Sequence, residues 1–489
     1  MSKTHEPHGR SLALLTDLYQ LTMAFAYWKE GIAKRQAVFH LFFRKNPFGG
    51  GYALACGLES VIDYLSSLRF HNDDLSYLRE VRGNDGKPLF EEGFLSYLRE
   101  LKFSCDVLAI PEGTVVFPHE PLVRVQGPIL EAQIIETALL NMVNFQTLVA
   151  TKAARICEIT GNEPVLEFGL RRAQGVDGSL SASRAAYVGG CAATSNVLAS
   201  KLYGIPVKGT HAHSWVMSFP DESQAFGAYA RAMPNNCVFL VDTYDTVEGI
   251  RRAVEIGTDL RQKGHDLVGI RLDSGNLADL SIEARKILDD GGFPNAVIVA
   301  SNDLDEHTIA ELKRQGSTIG VWGVGTKLAT AYDQPALGGV YKLSALRVGE
   351  SWSYKIKLSN EPIKVSNPGI QQVRRYQKDG TFLADLIYNV EDTLEDERTL
   401  VDLRDSDRRL KLSESLPYEQ LLQPIFEKGR VVYQSPPLAT IRDTAREQLQ
   451  ALGERVRKLD TPEHYPVGLD EELHKLKTRL INQAKPPVA

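Results

Sequence analysis

Two histidines stand two residues apart in KGTHAHSWVMSF (208–219), just after the short apolar stretch YGIPV, with Thr210 and Ser214 beside them. Imidazoles placed this way admit three readings: metal ligands, a nucleophile, or polar residues of an ordinary loop. His211 and His213 would share one face of a strand, as a zinc pair does, but a zinc site needs at least one more good ligand. No H-x-x-E-H sequence and no CxxC pair accompanies them, which disfavours metal. A nucleophilic histidine and a satisfied loop histidine remain, and the residues alone favour the second.

Other segments carry complementary chemistry. In RLDSG (271–275), Arg271 and Asp273 share a face if the strand persists, with Ser274 and Gly275 following. A guanidinium grips a carboxylate or phosphate bidentately, and a carboxylate binds ribose hydroxyls or Mg2+; the plain alternative is an Arg–Asp pair holding the loop. SNDLD (301–305) offers Ser301 and Asn302 to a sugar phosphate, or an N-cap to a helix starting near Glu306. In GVGT (323–326), Gly323, Gly325 and Thr326 let backbone amides approach a phosphate, with a helix N-terminus adding its dipole. The alternative there is a tight turn that needs flexible residues. Leu328 stands where a Rossmann fingerprint has its third glycine, and the chain has no P-loop pattern. In GLRRAQG (169–175), Arg171 and Arg172 suit an anion or surface ion pairs.

These segments have their position in common. Glu167 ends PVLEF, Lys208, Thr210 and His213 follow IPV, and Asp242 closes VFLVD. RLDSGN closes LVGI, SNDLDE follows VIVA, and GVGTKL follows IGVW. The apolar runs alternate with helical stretches such as SASRAAYVGGCAATSNVLASKLYG and NLADLSIEARKILDDGG, which predicts a parallel sheet buried on both faces. That many units predict a closed or nearly closed α/β barrel, and polar residues at successive strand ends converge on one rim, where such barrels assemble active sites.

The rest of the chain frames this barrel. Residues 1–130 mix short helices with strands at AVFHLFF (37–43), GYALAC (51–56) and around Pro118 and Pro121. A helix is expected from Glu131 to near Gly161, and the barrel region runs from 131 to 345. Residues 346–489 read as antiparallel strands followed by surface helices over the last 50 residues. The residues alone thus give an α/β fold class with a parallel barrel flanked by N-terminal and C-terminal segments.

Composition excludes several classes. The chain has 489 residues, 43% hydrophobic and 24% charged, with a net charge of −6, so neither a nucleic-acid nor a membrane footprint is expected. No apolar run approaches the roughly 20 residues needed to span a bilayer. The N-terminus has no apolar region before a cleavage site, and Cys56, Cys105, Cys157, Cys191 and Cys237 form no framework. A cytoplasmic protein with reduced, buried thiols is the expectation.

LLTDLYQLTMA (14–24), NPFGGGYALACGLE (46–59), EFGLRRAQGVDGSLSASRAAYVGG (167–190), GTHAHSWVMSF (209–219), RLDSGN (271–276), GVGTKL (323–328) and KLSNEPIKVSNPG (357–369) resemble, in order, the nicotinate phosphoribosyltransferase family. The resemblance implies a type II phosphoribosyltransferase fold, commonly dimeric: an irregular parallel α/β barrel plus an α/β domain formed from N-terminal and C-terminal segments, with residues 346–489 partly packing on the N-terminal domain. It implies the joining of nicotinate to phosphoribosyl pyrophosphate (PRPP), giving nicotinate mononucleotide and pyrophosphate, the first step of NAD synthesis from nicotinate. It also implies Mg2+ and coupling to ATP hydrolysis through a phosphohistidine.

Carried over residue by residue, His213 matches the phosphorylated histidine. His211 stands where relatives often have an apolar residue and receives no chemistry. Tyr19 matches a tyrosine that stacks on or borders the pyridine ring, either in its own barrel or, as the shared sites of the family's dimers favour, in a partner's. Thr210 and Arg271 match nicotinate-binding positions, with Arg171 a further contributor. Asp273, Ser274, Gly275, Ser301, Asn302, Gly323, Gly325 and Thr326 form the implied PRPP- and phosphate-binding set. Asn276 replaces the aspartate usual in RLDSGD, and no metal ligands are assigned. The alternatives are nicotinamide phosphoribosyltransferase, a shorter quinolinate enzyme, and a catalytically silent PRPP or nucleotide sensor. TDLYQLTMA and FGGGY favour the nicotinate enzyme, and the joint presence of His213, Arg271, Asp273 and Thr326 counts against a sensor.

Overall fold

A computed structural model describes residues 11–393, 397–413 and 415–484. The first ten residues, where no leader is expected, and the last five of the C-terminal stretch lie outside the described residues. The chain divides into two compact units, one made of residues 1–148 and 336–489, the other of residues 149–335.

In the first unit, strand Gln36–Phe42 is buried at every position after Gln36. Such a run, without polar alternation, belongs in the middle of a sheet covered on both faces. It pairs antiparallel with Val340–Val348 on one side and Val123–Pro128 on the other. A seven-stranded sheet results, completed by Ser351–Tyr354, Asp106–Ala109, Gln423–Glu427 and Arg430–Val431. N-terminal and C-terminal segments thus share one sheet. A second, six-stranded sheet comes wholly from the C-terminal part, and it contains a strand that the sequence does not reveal. Val467–Asp470, within the stretch expected to be surface helices, is buried throughout and lies between Thr381–Asn389 and Glu397–Asp402. Four residues are too few to display a period. The flanking helices Leu438–Ala451 and Glu471–Ala484 are present as expected.

A buried polar hub ties the two ends of this unit together. The Arg375 guanidinium grips Asp385, with Nε 3.0 Å from Oδ1, and donates to Gln448 Oε1 at 3.0 Å. Tyr465 Oη donates to Asp385 Oδ1 at 2.9 Å, and its ring stacks on Phe117 at 4.1 Å. Beside them, burial first and the Asp385 carboxylate second push the Glu120 carboxyl well up from its ordinary range.

The second unit is the barrel sheet: β1 (Val165–Glu167), β2 (Ala193–Thr194), β3 (Val238–Leu240), β4 (Gly269–Leu272), β5 (Val297–Ser301) and β6 (Val321–Val324). All neighbours are parallel, in the order β2-β1-β6-β5-β4-β3. Parallel neighbours need crossovers, supplied by helices including Thr246–Gln262, Leu277–Asp290 and Glu306–Arg314. Three expectations change in detail. IPVKG forms no strand, only a single bridge from Val207 to Thr194. The stretch expected as one helix splits into Gly175–Val188 and Val197–Tyr203 around β2. Gly190, at φ 114°, makes the turn between them, a conformation open to glycine. The long helix is Glu136–Thr160, preceded by Ile129–Ile134 rather than continuous from Glu131.

No helix among the described residues is long and apolar enough to cross a membrane. Cys56, Cys105, Cys191 and Cys237 are buried, Cys157 is half-buried, and none is in a disulfide among the described residues.

Candidate active site

Arg271, on β4, is the organising residue of the barrel rim. Its Nε donates to Ser301 Oγ at 2.8 Å, one terminal nitrogen to Thr210 Oγ1 at 3.2 Å and the other to Asp273 Oδ1 at 3.0 Å. Ser301 Oγ also donates to Asp273 Oδ1. Of the five guanidinium N–H groups, these bonds use one on each nitrogen, so each terminal nitrogen keeps a donor for a carboxylate. The Arg271–Asp273 pair is real, as the plain reading expected, yet it orients the fork without exhausting it.

His213 begins the short helix His213–Met217. Its side chain is 40% exposed, with Nδ1 hydrogen-bonded to Thr243 Oγ1 at 3.1 Å. Nε2 faces two carboxylates, Asp242 Oδ1 at 4.0 Å and Asp273 Oδ2 at 3.9 Å. Asp242 is buried, and its Oδ2 accepts the Asp273 N–H at 2.8 Å and the Ser274 hydroxyl at 2.7 Å. Its Oδ1 has no hydrogen-bond partner. A buried carboxylate oxygen left without a donor is costly and points at something it can bind.

On the other side of the rim, buried Glu167 holds the β1 turn. It accepts the Gly169 N–H, the Ser183 hydroxyl at 2.8 Å and the Thr194 hydroxyl. Phe168 turns its ring toward the Arg271 guanidinium, 5.8 Å away. A Cβ on Gly323 would stand 2.8 Å from that ring, so the glycine is needed for this packing. Thr326 opens a helix of only four residues, Thr326–Ala329, too short for the expected dipole to matter.

Residues 164–367 match the model of the Nicotinate phosphoribosyltransferase (NAPRTase) family, residues 14–144 that of its N-terminal domain and 371–477 that of its C-terminal domain. The nicotinate phosphoribosyltransferase of Bacillus subtilis is 46% identical over 479 residues, covering 97% of this chain and 96% of that protein. The chain belongs to the nicotinate phosphoribosyltransferase family. The Dictyostelium discoideum nicotinate phosphoribosyltransferase is 40% identical, over 95% of this chain and 87% of that protein. The crystal structure of human nicotinic acid phosphoribosyltransferase superposes with a TM-score of 0.83 at 34% identity, over 95% of this chain and 99% of that one.

Within this nicotinate phosphoribosyltransferase framework, direct contacts join Thr210, Arg271, Asp273 and Ser301, while Asp242 links His213 and Ser274 to them. Gly275 turns at φ 80° after Ser274, and Asn302 is exposed at φ 117° after Ser301. Arg171 and Arg172 are exposed in the turn after β1 and share none of the Arg271 contacts. Asn276 caps helix Leu277–Asp290, its Oδ1 accepting the Asp279 N–H at 3.4 Å and its Nδ2 donating to Asp279 at 2.7 Å. Tyr19 belongs to the other unit, 47% exposed on helix Leu18–Lys29. Burial first, and the Glu136 carboxylate next, raise its hydroxyl pKa.

Three features escape a sequence reading. Phe168 reads as the apolar end of PVLEF, Thr243 as a loop residue and Asp242 as one rim carboxylate among several, until the fold turns them toward Arg271 and His213. In the first unit, Lys342 lies within electrostatic reach of Arg44, Lys357 and Glu136. Burial chiefly, with Arg44 and Lys357 adding to it, lowers the Lys342 pKa against the opposing Glu136 charge. Arg44 Nε is buried without a hydrogen-bond partner. Among the described residues, no cluster of three or more His, Cys, Asp or Glu could hold a metal by itself.

Proposed function

We propose that this chain transfers the phosphoribosyl group of PRPP to nicotinate, releasing pyrophosphate, and couples turnover to ATP through a phosphohistidine at His213. The observation that carries this reading is the setting of His213: an accessible imidazole whose Nδ1 is tied to Thr243 while Nε2 faces Asp242 and Asp273.

In transfer, the pyridine nitrogen attacks the anomeric carbon and its bond to pyrophosphate oxygen breaks, through a transition state with oxocarbenium character. The ring nitrogen already has a lone pair, so no base is required and positioning supplies much of the effect. Arg271 holds the nicotinate carboxylate with its two remaining terminal N–H groups, and Thr210 sets the fork. Phe168 supplies aromatic surface beside Arg271, Tyr19 is carried over from the family resemblance as a ring-bordering tyrosine of this chain or a dimer partner, and Arg171 adds positive charge to the rim. Ser274, Gly275, Ser301, Asn302, Gly323, Gly325 and Thr326 line the phosphoribosyl path.

Mg2+ binds through one or two carboxylates together with substrate phosphate oxygens. Asp242, with its orphan Oδ1, and Asp273 fit that donor set. There the ion would offset charge on the departing pyrophosphate.

In coupling, the His213 Nε2 lone pair attacks the γ-phosphorus of ATP and the bond to the β-γ bridging oxygen breaks, releasing ADP. Water later cleaves the P–N bond, returning phosphate and the free imidazole. The phosphorylated state favours tight PRPP binding, and each tenfold gain in affinity is about 1.4 kcal/mol. His213→Asn is expected to remain folded, take no covalent label from γ-32P ATP, and form nicotinate mononucleotide slowly without ATP stimulation. Stimulation equal to the parent chain refutes the coupling. Running nicotinate and nicotinamide in parallel separates the two base specificities.

A further inference from the structure

His211 has no task in the reaction above, yet its ring is placed with care. Among the described residues, β3 is an edge strand of the barrel sheet, with a strand partner on its β4 side alone. Val241 N–H donates toward that side, to the Arg271 carbonyl at 3.3 Å. By alternation, the Leu240 N–H points to the open edge. His211 Nε2 accepts it at 3.3 Å, while Nδ1 lies 3.4 Å from the Ala212 carbonyl. An acceptor at Nε2 and a donor at Nδ1 define a single neutral tautomer.

The surroundings favour that neutral form. The residue is 8% exposed, and its ring is walled by Tyr229, Phe226 and Phe239 at 5.1, 6.1 and 6.4 Å. Burial, joined by the Arg271 and His213 charges, lowers its pKa against the opposing Ala212 contact.

At the opposite edge the same segment pairs through its backbone. Thr194 N–H donates to the Pro206 carbonyl and Lys208 N–H to the Thr194 carbonyl, both at 3.0 Å. Residues 206–211 therefore join both edges of the sheet, by backbone at β2 and by one imidazole at β3. His211 is two residues before His213, and Leu240 is two before Asp242 and three before Thr243. One hydrogen bond thus registers the histidine against both of its partners.

We infer that His211 is a positioning residue, its ring closing the barrel at the Leu240 edge and setting His213 against Asp242 and Thr243. The inference rests on the reading of His213 as phosphoryl acceptor.

The test compares His211→Leu and His211→Gln with the parent chain, measuring nicotinate mononucleotide formation with and without ATP and covalent 32P from γ-labelled ATP. Leucine fills the space but accepts nothing, whereas the glutamine carbonyl reaches the Nε2 position. With Leu240 N–H left unpaired, the leucine variant should lose about tenfold in both label and the ATP stimulation ratio, with glutamine restoring most of it. Undiminished label in the leucine variant, or glutamine no better than leucine, overturns the inference. So does an unchanged stimulation ratio with both activities lowered alike, the pattern of mere destabilisation. Should the leucine variant not fold, 15N imidazole shifts of the parent chain decide: Nε2 bare and Nδ1 protonated supports the assignment, and a proton on Nε2 overturns it. Label missing from the parent itself refutes the phosphohistidine instead.

Discussion

Arg271 shows how far one side chain is committed before any substrate arrives. Ser301, Thr210 and Asp273 each take one N–H, and the two donors left lie on the terminal nitrogens, where a carboxylate is gripped bidentately. Lysine in its place keeps the charge but has neither the fork nor the three anchoring bonds. Arg271→Lys is expected to raise the KM for nicotinate about 10- to 100-fold, with a smaller fall in kcat. Steady-state kinetics check this, and an unchanged KM removes Arg271 from carboxylate binding. At this scale the sequence was informative about type and blind to direction. RLDSG suggested an anion grip, but nothing in PVLEF indicated that Phe168 faces the guanidinium.

The elements that carry these residues are held by buried charge. From helix Glu136–Thr160, Lys152 Nζ meets Glu306 Oε2 at 2.7 Å and also Asp333, while Arg155 Nε meets Glu306 Oε1 at 2.9 Å. Lys152 and Glu306 are wholly buried. Nearby, Asp305 caps helix Glu306–Arg314 through the Thr308 N–H at 2.7 Å and accepts from Lys327 at 2.6 Å. Burial pushes the Asp305 carboxyl up, but these bonds outweigh it and hold the pKa at about 2. The SNDLD and GVGTKL loops are thereby tied to each other, with Asn302 and Asp303 held at φ 117° and 42°. Lys152→Met removes one charge from a buried network and is expected to cost about 3–5 kcal/mol of stability. Urea denaturation measures it, and a loss under about 1 kcal/mol means the network is dispensable. Both loop motifs were legible as polar strand ends, but their ties to Lys152 are separated by too much chain for any local pattern to show.

At the scale of the molecule, the first unit should be acid-sensitive. Burial first, then the Lys477 and Arg44 charges, lower the His119 pKa to about 4, and burial with Arg124 lowers that of His40 well below the ordinary value. Unfolded histidines take up protons below about pH 6.5 while these stay neutral. The stability they contribute is complete above that pH and is lost as pH falls from about 6.5 towards 4. His119 sits at φ 70°, a conformation asparagine tolerates. His119→Asn should therefore flatten the pH dependence of stability in this window, by at most about 1.4 kcal/mol per pH unit. Urea unfolding at stepped pH checks it, and an identical slope in the variant dismisses His119 as a contributor.

The sequence by itself determined the fold class and the residue types at the barrel rim, because parallel strands buried on both faces leave continuous apolar runs and polar residues must fall where those runs end. The family resemblance, and not any pattern in the residues, implied that the N- and C-terminal segments share one domain. Only the tertiary structure decided that IPVKG is a bridge rather than a strand, that Val467–Asp470 is buried between two other strands, and that Asn276 serves as a helix cap. It alone showed what each histidine faces, turning one to Asp242 and Asp273 and the other to a backbone N–H at an open sheet edge. The reason is physical: periodicity records which faces are covered, whereas the direction of a loop side chain depends on partners that are distant in sequence.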